Sequence, residues 1–396
     1  MTVTIYPSVP GGSVKAPPSK SMAHRLLICA GLSRGTSRIR GVSFSEDILA
    51  TIDCLKALGA EVRIEGDCVE VTGSDPEGPA VAVLPCRDSG STLRFLIPVC
   101  LLSEAETRLI GSETLMKRPL MVYERLFAER GLLFKRTGNS LSLRGKLTPG
   151  EYCFTGNVSS QFASGLLFAL PLLGEDSGIG LLPPVESRPY IDMTLSAMRA
   201  FGVKCAWESP ERIAVPGGQC YMPQELGVEG DWSNAAFFLA MGVSVTGLDE
   251  NSLQGDSVCR EYFKALDAGF AELDLSDCPD LGPVLFVYAA LRSGGRFSGT
   301  ERLRMKESDR LASMREELAK CGAEIRLGEN TITVGSGVKR PEVPLDGHRD
   351  HRIVMALSVL CMVTGGTIRG AEAVAKSFPD FFEQLRSVGV KTEELV

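Results

Sequence analysis

The 396-residue sequence lacks the patterns that define several large protein classes. Its twelve cysteines form no C-x-x-C pair and its three histidines form no H-E-x-x-H pattern, so neither a zinc site nor a disulfide framework is indicated. No apolar run reaches membrane-spanning length, and the opening residues, MTVTIYPSVPGG, lack the basic and then apolar pattern of a secretory signal. We therefore expect a cytoplasmic protein without a metal site or a membrane partner, in which cysteines are small buried apolar residues.

Three common functional motifs are absent as well. No G-x-x-x-x-G-K-[ST] is present, no G-x-G-x-x-G follows a strand pattern, and there is no G-x-S-x-G. These absences disfavour a P-loop kinase, a dinucleotide-dependent hydride transfer and a serine hydrolase of the elbow type. The net charge of −7 disfavours a nucleic-acid partner, although a local basic cleft remains compatible with it.

One phrase recurs along the chain: the end of a helix, a glycine, and then a short β run. Such a phrase is common in α/β proteins, but six copies whose glycines are 53 to 72 residues apart are hard to ascribe to chance. The repeat predicts two α/β domains of three units each. The fourth unit is shortened, and we expect one strand fewer in its sheet. The six glycines are Gly59, Gly131, Gly202, Gly269, Gly322 and Gly389.

Basic and hydroxyl side chains gather where helices begin. A single serine there is usually a cap, a mixed charge run such as RLRMKESDR is usually a solvated surface, and we read Arg94 as structural. Taken together, however, the set predicts binding of several anionic groups, because helix N-termini favour anions. Carboxylates lie among these cations: Glu307 stands between Lys306 and Arg310, and Asp280 precedes an apolar helix. Such a mixture can transfer protons between bound anions.

The motifs resemble those of the 5-enolpyruvylshikimate-3-phosphate synthase (3-phosphoshikimate 1-carboxyvinyltransferase) family, nearly from end to end. Their number and order carry the resemblance, since KESDR or DHR alone would be weak. They are PPSKSMAHR, DSGSTLR, KRPL, NVSSQF, SRPYIDMTL, VEGDWSNAAFFLA, DCPDL, LRMKESDRL, DHRIVMAL and KSFPDFFEQL.

The resemblance implies a two-domain inside-out α/β barrel with six β-α-β-α-β-β units. One domain would comprise residues 15–227, and the other residues 1–14 with 228–396. The implied activity is transfer of the carboxyvinyl group of phosphoenolpyruvate to the 5-hydroxyl of shikimate 3-phosphate, through a tetrahedral intermediate in the inter-domain cleft. Phosphate is released, and the product enters aromatic amino acid biosynthesis. The resemblance implies no cofactor, and we expect a monomer.

The resemblance also implies roles for individual residues. Asp280 would be the base on the 5-hydroxyl, Glu307 the proton donor to the methylene carbon, and Lys20 a catalytic ligand shared by both substrates. The implied ligands of shikimate 3-phosphate are Lys20, Ser21, Arg25, Ser159, Ser160, Gln161, Tyr190, Asp280 and Lys306. Those of phosphoenolpyruvate are Lys20, Gly90, Arg118, Gln161, Arg310, Arg352 and Lys376.

One departure from the family pattern concerns the substrate site. The family usually has Asn where Asp88 stands, and the added negative charge is expected to weaken phosphoenolpyruvate binding.

The sequence disfavours two alternative functions. The related transferase acting on UDP-N-acetylglucosamine uses a cysteine-bearing mobile loop, which has no counterpart in this sequence. A non-catalytic binder of anionic metabolites would be expected to lack Glu307 or Asp280, and both are present.

Overall fold

A computed structural model describes residues 1–74 and 81–395. The chain is a mixed α/β protein, and short 3-10 turns supplement its α-helices. The α-helices are α1 (Lys20–Gly31), α2 (Glu46–Ala57), α3 (Gly90–Cys100), α4 (Glu113–Lys117), α5 (Met121–Ala128), α6 (Ser160–Ala169), α7 (Arg188–Ala200), α8 (Trp232–Ala240), α9 (Cys259–Ala268), α10 (Gly282–Ala290), α11 (Arg310–Lys320), α12 (His351–Thr364) and α13 (Phe381–Ser387).

The strands are short, most of them three to five residues. They are β1 (Thr2–Ile5), β2 (Ser13–Lys15), β3 (Thr36–Arg40), β4 (Glu61–Glu65), β5 (Cys68–Thr72), β6 (Val81–Arg87), β7 (Glu106–Gly111), β8 (Leu133–Thr137), β9 (Ser140–Arg144), β10 (Glu151–Thr155), β11 (Ser177–Leu182), β12 (Ala206–Ser209), β13 (Arg212–Val215), β14 (Glu225–Gly227), β15 (Ser244–Thr246), β16 (Ala271–Asp274), β17 (Gly295–Ser298), β18 (Ile325–Leu327), β19 (Thr331–Val334), β20 (Leu345–Asp346), β21 (Gly366–Arg369) and β22 (Thr392–Leu395).

Five four-stranded sheets share one hydrogen-bonding pattern. Their orders are β14-β3-β5-β4, β6-β7-β9-β8, β10-β11-β13-β12, β16-β17-β19-β18 and β20-β21-β1-β22. In each sheet the first two strands are parallel and the remaining pairs are antiparallel. The antiparallel pair at the far end is a hairpin in the four sheets that do not contain β1. A common local pattern therefore builds most of the described β structure.

The sixth sheet is smaller than the sequence predicts. It contains only the parallel strands β15 and β2, two fewer than each of the other sheets among the described residues, where the sequence predicts one fewer. A single strand, β16, lies between Gly269 and Asp280, and it pairs in parallel with β17 of the following sheet. The missing hairpin is thus absent as a whole, because β16 belongs to another sheet.

The chain divides into two compact units. The continuous unit comprises residues 18–229, and the split unit comprises residues 1–17 and 230–396. Each unit has its own core of buried apolar side chains. Helices α3 and α6 in the continuous unit and α10 and α12 in the split unit are buried along almost their whole length. A helix that is apolar on all sides is stable only inside a core, which explains the sequence of α10.

The repeated glycines and the cysteines have the environments that the sequence predicts. Each of the six glycines follows a helix by one to three residues and has a positive φ, from 67° to 148°. A residue with a Cβ atom is strained there, so glycine lets the chain leave the helix. All twelve cysteines are free thiols, and nine of them are buried.

Candidate active site

The second turn of α1 in the continuous unit contains a buried arginine held by neutral groups. Arg25 is 2% exposed, and it donates from Nε to Thr194 Oγ1 at 2.8 Å, from Nη1 to the Ser21 carbonyl at 2.6 Å and from Nη2 to the Tyr190 carbonyl at 2.7 Å. Burial is the main reason that its pKa falls to about 10. A buried cation with neutral partners favours an anion nearby. These bonds also join the predicted ligands on α1 to Tyr190 on α7.

Lys20 is the first residue of α1, and a carboxylate holds its ammonium group. Its Nζ lies 2.8 Å from Asp47 Oδ2 in α2, and both side chains are largely buried. Ser19, which precedes it, caps the helix by accepting a hydrogen bond from the Met22 N–H. The cap and the ion pair together fix where Lys20 can reach.

Gly90 allows a guanidinium to lie against the backbone of α3. A Cβ atom placed on Gly90 would lie 2.6 Å from Arg118 Nη1, closer than real Cβ atoms approach any heavy atom. Arg118 itself follows α4 as its C-cap and is 8% exposed. The absence of a side chain at Gly90 therefore makes room for the side chain of Arg118.

Arg94 contacts predicted ligands, although sequence reasoning treated it as structural. It donates from Nη1 to Gln161 Oε1 at 2.7 Å and from Nη2 to the Pro119 carbonyl, next to Arg118, at 3.2 Å. Gln161 in turn donates to Ser91 Oγ at 2.9 Å. The only sequence signal was that Arg94 lies one turn after Gly90 and Ser91.

The helix α6 brings a second set of predicted ligands into the continuous unit. Ser159 caps the helix by accepting from the Gln161 N–H, and Ser160 is its first residue and is buried. The helix packs against α3, so this N-terminus lies beside that of α3. Hydroxyl, amide and backbone N–H donors are thus gathered at one place in this unit.

Asp280 is the centre of the charged cluster in the split unit. Its carboxylate oxygens lie 2.8 Å from Arg310 Nη1, 3.2 Å from Arg352 Nη2 and 3.4 Å from Lys306 Nζ. Burial raises the pKa of the carboxyl, but the three cations outweigh burial and hold the pKa well below its usual value. For Lys306 burial also disfavours the charged form, so its pKa is lowered, although the nearby Asp280 carboxylate partly opposes this shift. Without a bound anion, Asp280 is an ionised base.

Arg310 connects both predicted proton-transfer groups to a further carboxylate that the sequence did not single out. Its Nη2 lies 2.8 Å from Glu307 Oε2, and its Nε lies 2.8 Å from Asp350 Oδ2. Asp350 is completely buried and caps α12 by accepting from the Arg352 N–H. Burial lowers the pKa of Arg310, but the neighbouring carboxylates have a larger effect, and the pKa is raised above the usual value.

Arg352 and Lys376, the remaining predicted ligands, lie near the start of α12 and beside that helix. Arg352 donates from Nη2 to Ser233 Oγ at 2.8 Å, in addition to its contact with Asp280. Burial lowers the pKa of Arg352, but Asp280 and more distant carboxylates raise it, and the pKa lies above its usual value. Lys376 ends the 3-10 helix Ala371–Lys376, which packs against α12.

Four residues other than glycine have a positive φ in the described parts of the chain, and all of them precede helices that carry predicted ligands. They are Arg87, Ser187, His348 and Arg349, with φ between 49° and 55°. Arg87 lies shortly before Gly90, and Ser187 lies shortly before Tyr190. The adjacent residues His348 and Arg349 lie shortly before Arg352. Backbone strain of this kind is frequent at functional sites.

The basic side chains around Asp280 are therefore accounted for by their carboxylate partners. Glutamate and aspartate side chains within 2.8 to 3.4 Å offset the cations around Asp280, and carboxylates among cations are chemically suited to both anion binding and proton transfer. The fold and these clusters describe an α/β protein suited to small molecules that carry several acidic groups.

Comparison with known proteins assigns the chain to a family. A family model described as EPSP synthase (3-phosphoshikimate 1-carboxyvinyltransferase) matches residues 8–385. The 3-phosphoshikimate 1-carboxyvinyltransferase of Clostridium perfringens (strain ATCC 13124) is 40% identical over 415 residues, covering 98% of both chains, and that of Clostridioides difficile (strain 630) is 39% identical, covering 99% and 98%. This chain belongs to the EPSP synthase family.

A solved structure supports the fold independently. The structure of EPSP synthase from Acinetobacter baumannii superposes with a TM-score of 0.80 at 24% sequence identity, over 99% of each chain. At this identity the likeness concerns the fold. Among the described residues, no helix is long and apolar enough to span a membrane.

Proposed function

We propose that this chain transfers the carboxyvinyl group of phosphoenolpyruvate to the 5-hydroxyl of shikimate 3-phosphate and releases phosphate, as a step towards aromatic amino acids. Curated relatives with this activity match almost the whole chain. The observation that carries the proposal is the placement of Asp280 within 3.4 Å of three cations, with Glu307 bound to one of them. A site that only bound anions would have no need for two carboxylates there.

The reaction begins with two proton movements around the new C–O bond. The 5-hydroxyl oxygen attacks the central carbon of phosphoenolpyruvate, Asp280 accepts the hydroxyl proton, and Glu307 gives a proton to the methylene carbon, which becomes a methyl group. The low pKa of Asp280 keeps its carboxylate ionised before the substrates bind, and bound anions that offset the neighbouring cations would raise its proton affinity. Bound anions offset the local positive charge and favour the protonated form of a neighbouring carboxyl group, as the donor requires.

Collapse of the tetrahedral adduct completes the transfer. The C–O bond to phosphate breaks, a methyl proton returns to a base, and the C=CH₂ group forms again on the product. Arg310, Arg352, Lys376, Lys20 and Arg118 would stabilise the charge of the leaving phosphate and of the carboxylate. Positioning and electrostatic stabilisation then supply the rate enhancement, with no organic or metal cofactor required.

We assign the remaining predicted ligands to shikimate 3-phosphate. Arg25 and Lys306 would bind its charged groups, and the hydroxyl and amide donors of Ser21, Ser159, Ser160 and Gln161 would bind its phosphate and ring, with Tyr190 flanking the ring. The neutral environment of Arg25 supports a phosphate ligand, because its three protein partners leave its positive charge without compensation. Gly90 would admit phosphoenolpyruvate beside Arg118.

We also propose the family architecture for the two units. Each unit would be an inside-out barrel of three β-α-β-α-β-β repeats. The expected domain boundaries, 14/15 and 227/228, lie within three residues of the division between the two compact units at 17/18 and 229/230. The shared strand pattern of five sheets and the full burial of α3, α6, α10 and α12 support this arrangement. We propose a monomer in the cytoplasm, where free thiols are typical. Light scattering of the purified chain tests the monomer.

A phosphate-release assay tests the activity. We expect phosphate only when shikimate 3-phosphate and phosphoenolpyruvate are both present, together with an enolpyruvyl product detectable by mass spectrometry. UDP-N-acetylglucosamine serves as the control acceptor and should give no product. Binding of both compounds without phosphate release would contradict the proposal and favour a non-catalytic binder.

A further inference from the structure

Glu317 is a completely buried carboxylate that takes no part in the site described above. It lies on α11 seven residues after Arg310, which is two helical turns along the same face. Its oxygens accept hydrogen bonds from Lys320 Nζ at 2.8 and 2.9 Å, from His348 Nε2 at 2.7 Å and from the Asp346 N–H at 2.9 Å. A buried carboxylate whose hydrogen bonds are satisfied on all sides can fix the groups that bind it.

A metal ion is not needed to explain this cluster. Possible ligand atoms of Glu316, Glu317 and His348 lie within 4.8 Å of one another, a spacing that could suit a cation. The ammonium group of Lys320, however, lies 3.3 Å from Glu316 and 2.8 Å from Glu317. The cluster therefore contains its own cation, and His348 is a hydrogen-bonding partner of Glu317.

His348 belongs to a strained loop. His348 and Arg349 have φ values of 49° and 55°, a conformation that residues with a Cβ atom rarely adopt. Two consecutive residues in this conformation persist only when the surroundings hold them there. The His348 N–H donates to Asp346 Oδ1 at 2.6 Å, and the Asp350 N–H donates to the Gly347 carbonyl at 2.9 Å. The imidazole contact with Glu317 anchors the middle of this loop.

The loop determines the position of an important carboxylate. Asp350 follows directly, caps α12 at Arg352 and binds Arg310 through both of its oxygens, at 2.8 and 3.2 Å. Helix α11 therefore holds the loop at two places, by Arg310 at its first turn and by Glu317 two turns later. A shift of the loop would move Asp350, and with it both arginines.

We propose that His348 is a positioning residue whose contact with Glu317 sets the loop before α12, and thereby orients Arg310 and Arg352 for phosphoenolpyruvate. This inference rests on the proposed function, since it assigns these arginines to that substrate. His348 contacts neither substrate in this account and acts only through Asp350.

The charge of His348 gives the contact a dependence on pH. The hydrogen bond to Glu317 is the main cause that raises the pKa of His348, while partial burial opposes it. The charged groups that face the imidazole are Glu316, Glu317 and Lys320 from α11 and Asp346 from β20. A raised pKa in the folded state means that the ionic contribution is fully present below about pH 6.5 and is lost as pH rises through the higher folded value.

Steady-state kinetics with His348→Ala and His348→Gln test the proposal. In His348→Ala we expect the KM for phosphoenolpyruvate to rise about tenfold, with smaller changes in kcat and in the KM for shikimate 3-phosphate, because a charge-assisted hydrogen bond is lost. Gln can donate without titrating, so His348→Gln should restore much of the affinity. For the unmodified protein we expect the KM to rise when the pH increases from about 6 to about 9, and His348→Gln should lack this rise.

A second measurement does not depend on turnover. Hydrogen–deuterium exchange of the 346–352 segment should be faster in His348→Ala and in Glu317→Gln than in the unmodified protein. The matched control is Glu324→Gln, which breaks an exposed ion pair with Arg326 in the same unit and should leave exchange and kinetics unchanged.

Either of two results would overturn the inference. One is an unchanged KM for phosphoenolpyruvate in His348→Ala, and the other is unchanged exchange of the 346–352 segment in both variants. Failure of the proposed function would be distinguishable, since the unmodified protein would then release no phosphate while the exchange comparison could still be made.

Discussion

Arg25 in the continuous unit and Arg310 in the split unit are both almost completely buried, yet their environments differ in kind. Arg25 is held by a hydroxyl and two carbonyl groups, and burial lowers its pKa to about 10. Arg310 is held by three carboxylates, which raise its pKa despite burial. Arg25 therefore keeps its positive charge for a ligand, whereas the charge of Arg310 is balanced by neighbouring carboxylates.

The difference suggests a division of labour within the proposed reaction. Uncompensated cations suit the tight binding of a phosphate dianion. A cluster of paired acids and bases suits proton transfer, because the entry of an anion redistributes its internal bonds. Lys20 in the continuous unit differs from Arg25 because it pairs with Asp47, and it is also the residue assigned to both substrates.

The largest expected effect concerns the proton donor of the split unit. Glu307→Gln should lower turnover by about 10²-fold or more, the usual scale of general acid catalysis, while binding of shikimate 3-phosphate stays nearly intact. Asp47→Asn in the continuous unit should have a smaller effect on turnover, because that carboxylate only positions Lys20. Stopped-flow turnover and calorimetric binding measure both quantities. Near-normal turnover in Glu307→Gln would contradict the assignment of Glu307 as the proton donor.

The second prediction compares the two arginines through stability. Arg310→Met removes the guanidinium that binds both oxygens of the buried Asp350 carboxylate and should lower the unfolding free energy by about 3 kcal/mol. Arg25→Met strands only neutral acceptors and should cost about 1 kcal/mol. Urea unfolding followed by circular dichroism measures both losses. Equal losses would mean that the difference in partners has no energetic consequence.

A third, smaller effect is expected at Gly90. In Gly90→Ala the new methyl group would displace Arg118, so the KM for phosphoenolpyruvate should rise about tenfold with a lesser change for shikimate 3-phosphate. Gly174→Ala is the matched control, since no atom lies within 4 Å of a Cβ at that position. Parallel changes in both KM values would show that Gly90 affects more than the Arg118 contact.

The smallest expected effect concerns Asp88, where the family usually has Asn. Its Oδ1 accepts from Ser112 Oγ at 2.6 Å, and Ser112 caps α4, which leads into Arg118. In Asp88→Asn the amide oxygen can still accept this bond while the negative charge is removed. We expect the KM for phosphoenolpyruvate to fall by about two- to threefold, the scale of an exposed charge interaction. A rise would show that the carboxylate itself is needed at this position.

Local patterns in the sequence were sufficient for the main elements. The helix starts at Lys20, Gly90, Ser160 and Arg310 follow from caps and from apolar periodicity, which depend on neighbouring residues alone. The glycine repeat likewise reports a local need for positive φ. The count of strands was wrong for the short sheet, because whether β16 pairs backward or forward depends on a partner that is distant in the sequence.

The sequence by itself determined the family, the glycine turns and the residue types at the helix starts, because each of these depends on short motifs of neighbouring residues. Only the tertiary structure decided which side chains meet. Arg94 with Gln161, Arg310 with Asp350 and Glu317 with His348 are separated by 31 to 67 residues. Such contacts depend on how helices and loops pack, which no local spacing encodes. Burial then strengthens the electrostatic interactions between these groups, because the protein interior screens charge less than water does, and these interactions orient the site.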